Sequence, residues 1–306
     1  MKRSPSYSMG VYMITKRLNY AVTGGGERVH RAAPVLFKGD LYQSIDLAKT
    51  IGYDAIEWHI NDPNEVDGEQ LKAYCDRMGF SISAFVTGMG YTLDRLSLID
   101  DSDEGRAKAV QRLKACIDLA EQLECMVIIG YMRGNIPDLE VSSKYKQYLV
   151  DSLTQLTDYA QEKGVVLAIE VINRYEVNYL NTIEETAKLI EEVGSEFLKI
   201  HIDTFHMNIE ETDFVESILS CQDQLGYVHV ADSNRRAPGM GHINFASIIE
   251  VLKQIGYDGY VSLECLYDQD PSETAKQGLT YLKSIEDNIK REESPVHESN
   301  QPCVRQ

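Results

Sequence analysis

A chain of 306 residues, 43% hydrophobic and 25% charged, carries enough apolar material for one large core, and its length suits a single barrel of alternating strands and helices with extra loops. The formal net charge of −18 excludes nucleic acid and anionic membrane surfaces as natural partners, since both are bound through clustered Lys and Arg. Six scattered cysteines without a Cys-x-x-Cys pair, an N-terminus without a leader's apolar stretch, and no apolar run of roughly 18 residues exclude a disulfide framework and a bilayer span, and set the expectation of a reduced, cytoplasmic protein.

Short apolar runs alternate with amphipathic stretches along the chain. Residues 9–13 are the first expected strand. A long connection follows, RLNYAVTGGGERVHRAAPVLFKGD, of a length that compact domains usually reserve for function. Its segment from Gly24 to Arg31 is expected to overhang the barrel mouth, and the three glycines, lacking the strand–GxxxxGK–helix context of a phosphate loop, read as a hinge or tight loop. A helix near 41–51 leads to the second strand at 55–58. Further strands are expected at 81–86, 126–129, 165–170, 198–203, 227–230 and 260–264, with helices at 103–123, 144–163, 183–193 and 245–255. Ile51-Gly52-Tyr53-Asp54 is echoed by Ile255-Gly256-Tyr257-Asp258; in both, a helix stops on a glycine suited to a left-handed cap and a strand follows. Eight strands alternating with helices predict an α/β fold, a single (β/α)₈ barrel over 1–291 with a long first βα loop, followed by a polar C-terminal tail at 292–306.

Barrels of this kind place their active sites at the C-terminal ends of the strands. The fifth expected strand ends in Glu170, the sixth in Asp203 and the eighth in Glu264, while the seventh holds His229. Singly, each acid reads as a helix N-cap and the histidine as a hydrogen-bonded core residue. Together on four adjacent strands they would repel one another without a cation, and an oxygen-rich set with one nitrogen suits manganese, magnesium or cobalt. Alternation puts His201 one layer below Asp203, either behind the metal or simply buried. Glu57, with His59 just beyond it, is a candidate for the pocket wall, tolerant of replacement by Gln, and Trp58 faces the other way, under a helix.

Asp203-Thr204-Phe205-His206-Met207-Asn208-Ile209-Glu210-Glu211 resembles a signature of the ketose 3-epimerases that act on D-tagatose and D-psicose, members of the xylose isomerase-like (sugar phosphate isomerase/epimerase) TIM-barrel superfamily. Ile169-Glu170-Val171-Ile172-Asn173-Arg174-Tyr175-Glu176, His229-Val230-Ala231-Asp232-Ser233-Asn234-Arg235-Arg236 and Val261-Ser262-Leu263-Glu264 resemble its other motifs. The resemblance runs from about Val165 to Glu264 and is weak before it. It implies one divalent metal, Mn²⁺ first and Co²⁺ or Mg²⁺ next, held by Glu170, Asp203, His229 and Glu264. It also implies substrate hydroxyls bound by Glu176, His206 and Arg235, proton exchange by Glu170 and Glu264 through an enediolate, and an oligomeric enzyme. The expected reaction is ketose 3-epimerisation or isomerisation. The alternative is a lyase on the same metal site, eliminating water as inosose dehydratases do or an aglycone from a 3-oxo-glycoside, the latter with a second small subunit.

Overall fold

The computed structural model describes residues 17–293. Eight parallel strands, each bonded to the next in sequence, form a barrel closed by β8 on β1: β1 (Asn19–Gly25), β2 (Ala55–His59), β3 (Ser81–Val86), β4 (Met126–Ile129), β5 (Leu167–Glu170), β6 (Leu198–Asp203), β7 (Leu225–Val230) and β8 (Tyr260–Leu263). The closing pair runs in register from Asn19↔Tyr260 to Val22↔Leu263. Helices Leu41–Ile51, Gly68–Met78, Asp103–Leu123, Ser142–Lys163, Ile183–Val193, Phe214–Ser220, Phe245–Gln254 and Pro271–Glu293 pack outside it, so each crossover returns the chain to the barrel's lower end. The caps named by the internal echo are left-handed, Gly52 with φ 105° and Gly256 with φ 69°. The last helix runs two residues past the boundary expected at 291, and the rest of the expected tail lies outside the described residues.

One strand is misplaced in the sequence reading. The expected first strand at 9–13 lies outside the described residues, and the strand that opens and closes the barrel is Asn19–Gly25, inside the segment read as loop. Gly24 and Gly25 are therefore sheet residues, not a hinge. They are glycines because neighbours approach closely: a Cβ on Gly24 would lie 2.8 Å from Cζ3 of the buried Trp58. The connection proper starts at Gly26, and its two-residue strand Phe37–Lys38 pairs with Gly24 and Gly25, above the reach of β8.

Most apolar side chains are buried between barrel and helices. The barrel interior holds a smaller cluster of Ala84, Val86, Ile128, Ala168 and Tyr227. At the lower end a buried ion pair, Lys253 Nζ to Glu286 Oε1 at 3.1 Å, joins the last two helices. Glu286 also accepts from Leu18 N and the Tyr20 hydroxyl, both at 3.2 Å, which ties the entry of β1 to the helix Pro271–Glu293.

Candidate active site

The upper rim gathers all four expected metal ligands. Glu170 and Asp203 end β5 and β6, His229 sits one residue from the end of β7, and Glu264 follows β8. Register pairs Asp203 with His229, Glu170 with His201 and His229 with Ser262, so the four converge through the stagger of the barrel and not as direct partners, and the Glu264 amide still bonds to the Val230 carbonyl at 3.3 Å. One ligand atom from each lies within 4.8 Å of the others, and all four side chains are buried. Asp203 Oδ2 and His229 Nδ1 are buried without a hydrogen-bond partner. Buried polar atoms without hydrogen bonds are costly unless a charge faces them; Arg235 Nη1 stands 3.0 Å from Asp203 Oδ2, and a cation among the three carboxylates would face both atoms. The set fits a divalent metal.

A residue outside the rim sets the imidazole. His229 Nε2 donates to both carboxylate oxygens of Glu57, at 2.9 and 2.8 Å, which aims Nδ1 at the centre as the atom a metal would bind in exchange for a proton. This corrects the expectation for Glu57. It is fully buried behind His229, and the side chain from β2 that lines the cavity is His59, whose Nε2 lies 3.4 Å from Glu264 Oε1. His201 is fully buried with both ring nitrogens unbonded, its ring edge-on to His229 at 4.1 Å between centroids.

The expected substrate-binding residues converge on the same centre. Asn173 Nδ2 donates to Glu176 Oε1 at 3.0 Å and meets His206 Nδ1 at 2.6 Å; as an amide donor it leaves the ring's N–H on Nε2. His206 Nε2 is 3.8 Å from both Glu170 Oε1 and Asp203 Oδ2. Glu176 is also held by the Tyr131 hydroxyl. Arg235 takes a left-handed backbone, φ 62°, in a turn tied by its amide to the Asp232 carbonyl at 2.8 Å. Its guanidinium lies over the Phe205 ring, donates to Glu264, and stands 3.0 Å from Asp203 Oδ2. A non-glycine residue held at positive φ is strain of the kind stored where a side chain must be aimed.

Electrostatics divide the two glutamates. Burial, then the charge of Glu264, pushes Glu170 up to about 8. Glu264 is also penalised by burial, but His229 and Arg235 outweigh that and hold it well below the usual carboxylate range. Burial opposes charge on His229 too, yet Glu57 and Glu264 raise it well above the usual imidazole range. Two carboxylates at one centre thus favour different protonation states.

Reasoning from sequence missed the supports. Arg133, wholly buried, donates through Nη1 to the Glu170 carbonyl and pins the end of β5. Gly130 clears space for the same residue, since a Cβ there would lie 2.6 Å from Glu170 Oε2. Asn173 lies between Glu170 and Glu176, where an uncharged amide carries no signal of its own. Arg133 and Gly130 sit after β4, a strand whose end carries no ionisable residue to flag it.

Fold and site together define a (β/α)₈ barrel whose upper rim holds a buried carboxylate–imidazole cluster able to bind a metal ion. Residues 45–285 match the xylose isomerase-like TIM barrel family, and the chain belongs to that family. An L-ribulose 3-epimerase from Methylomonas sp. (strain DH-1) is 35% identical over 221 residues, covering 71% of this chain and 75% of that protein. A D-psicose 3-epimerase from Enterocloster bolteae is 31% identical, covering 74% of this chain and 76% of that one. The structure of a D-allulose 3-epimerase from Methylomonas sp., in complex with D-allulose, matches with TM-score 0.74 and 26% identity over 87% of this chain and 97% of that chain.

Proposed function

We propose that this chain is a ketose 3-epimerase that depends on one divalent metal, Mn²⁺ first, with Glu170, Asp203, His229 and Glu264 as its ligands. The observation that carries the reading is the pair Glu170 and Glu264, sharing one buried cluster with Asp203 and His229, in a chain whose relatives are 3-epimerases of ketoses. A metal bound there supplies Lewis-acid polarisation of the substrate's carbonyl, without which the neighbouring carbon-bound proton is too weakly acidic for a carboxylate to remove.

The chain's own residues do the rest. One of the two glutamates removes the proton at carbon 3 and the other returns one from the opposite side, which inverts that centre through an enediolate. His206 Nε2–H and the Arg235 guanidinium hold the oxygens on which negative charge develops. Glu176, steadied by Tyr131 and Asn173, accepts from a substrate hydroxyl. Glu57 keeps His229 in the tautomer a ligand needs. The relatives do not favour the lyase reading. The described cysteines are free and buried, in accord with a reducing compartment, and we place the enzyme in the cytoplasm as an oligomer of one chain.

The test is solvent exchange. Protein loaded with Mn²⁺ is incubated in heavy water with D-fructose, D-psicose, D-tagatose and L-ribulose and followed by NMR. Deuterium should enter at carbon 3 as the epimer forms, and Glu170→Gln and Glu264→Gln should each lower kcat by about 10³-fold. A Glu264→Gln variant with normal kcat would overturn the two-glutamate scheme.

A further inference from the structure

The proposed chemistry uses only the floor of its cavity, which encloses about 640 Å³. Ligand pockets of roughly 300–1,000 Å³ suit drug-sized molecules, so the space exceeds what a free six-carbon ketose needs. The upper part is mostly apolar, with Arg28, His30 and Thr92 as its polar members. Val29, Ala33 and Pro34 come from the first connection, Met89 and Leu93 from the segment after β3, and Leu266 from the segment after β8. Leu93 and Leu266 are 45% and 38% exposed, large side chains left open at the cavity's mouth.

This wall is built in advance. Val29 and Val35 pack with Met89 as a separate buried cluster. Lys38 Nζ gathers the carbonyls of His30, Arg31 and Ala33 at 3.1, 2.9 and 3.1 Å. Thr23 Oγ1 accepts from Leu36 N at 3.3 Å, and Arg28 pairs with Glu65. A free ketose carries a hydroxyl on nearly every carbon. Against aliphatic side chains those hydroxyls would lose water and gain no partner. An apolar group has the opposite preference and displaces only poorly bound water.

We propose that the substrate of this site is a keto sugar bearing an apolar substituent, aryl or alkyl, at the end remote from the reacting carbon, and that residues 26–38 with Met89, Leu93 and Leu266 form the subsite that receives it. This rests on the epimerase reading for the floor of the cavity and extends it to the wall. The two parts belong to one continuous cavity, so whatever fills the wall while a sugar sits on the floor is joined to that sugar or competes with it.

Calorimetry on the full, Mn²⁺-loaded chain compares D-fructose with 6-O-benzyl-D-fructose, and NMR follows deuterium entry at carbon 3 for each. The benzyl compound should bind at least about tenfold more tightly, as expected for burying a phenyl ring. In the double variant Leu93→Gln/Leu266→Gln, which alters only open side chains, that ratio should fall at least about fivefold. Equal affinities would overturn the subsite, and so would a preference untouched by the double variant. If the benzyl preference holds while neither compound exchanges its proton, the epimerase reading falls and the subsite stands; exchange without preference has the reverse meaning.

Discussion

Glu57 touches no cavity surface and Gly130 lines the cavity with backbone alone, yet both act on the groups proposed to do the chemistry. Glu57 bonds to His229 through both oxygens; burial penalises its charge, but His229 and His59 hold it well below the usual carboxylate range. Replacing it with Gln keeps the size and removes the charge, so Mn²⁺ affinity should fall by about 10–100-fold, read by calorimetry against the parent. A variant with unchanged affinity would show that the bond is structural only. At Gly130 the constraint is space. A methyl group would meet Glu170 Oε2, the far end of a movable side chain, so the fold should tolerate it while the carboxylate is displaced. Gly130→Ala should lower kcat/KM by about tenfold or more with Tm shifted by only a few degrees.

At the scale of elements, β1 and the last two helices depend on the same buried pair. Lys253 and Glu286 have side chains 2% exposed. Removing one partner of such a pair strands the other charge, at a cost of about 3–5 kcal/mol. Lys253→Met should sit near the lower end, about 3 kcal/mol by urea unfolding, because Lys290 Nζ lies 3.9 Å from the same Glu286 oxygen. The double variant Lys253→Met/Glu286→Leu should recover much of that loss. A double variant no more stable than the single one would mean that the contacts of Glu286 with Leu18 N and Tyr20 matter more than the charge pair. The first strand also shows why one element escaped prediction. A barrel strand buried on both faces has no polar alternation to mark it, and its two final glycines look like turn residues until Trp58 is placed against Gly24 and Val29 against Gly25.

For the whole molecule, the centre couples stability to pH and metal. Glu170 is pushed up to about 8 against an ordinary value of 4.5. Between these values the folded, metal-free chain holds a proton that the unfolded chain has lost. That stabilisation is complete below 4.5 and disappears as pH rises through about 8. Metal binding takes the ionised carboxylate, so Mn²⁺ affinity should rise across the same window, by up to about tenfold per pH unit for one displaced proton. Thermal unfolding of the chelator-treated protein should show Tm falling from about pH 5 to about pH 8 from this group, with the metal-loaded form resisting the fall. Affinity independent of pH would mean that metal binding releases no net proton in this window.

Much of the centre was legible before any fold was built. Strand alternation and the position of each acid at a strand's end place Glu170, Asp203 and Glu264 on one rim, because a parallel barrel presents all its C-terminal strand ends on one face. His229 follows from the same logic on the strand between. The pairing of His229 with Glu57, 172 positions earlier, could not be read there, because nothing local records which strands face each other across the barrel. Nor could the true first strand, the Arg133 bond to the Glu170 carbonyl, or the apolar wall above the site. Local patterning determined which side chains reach the rim. Closure of the barrel decided which of them meet, which are buried without a partner, and what shape of ligand the mouth admits, since those depend on contacts between distant segments rather than on the period of any one of them.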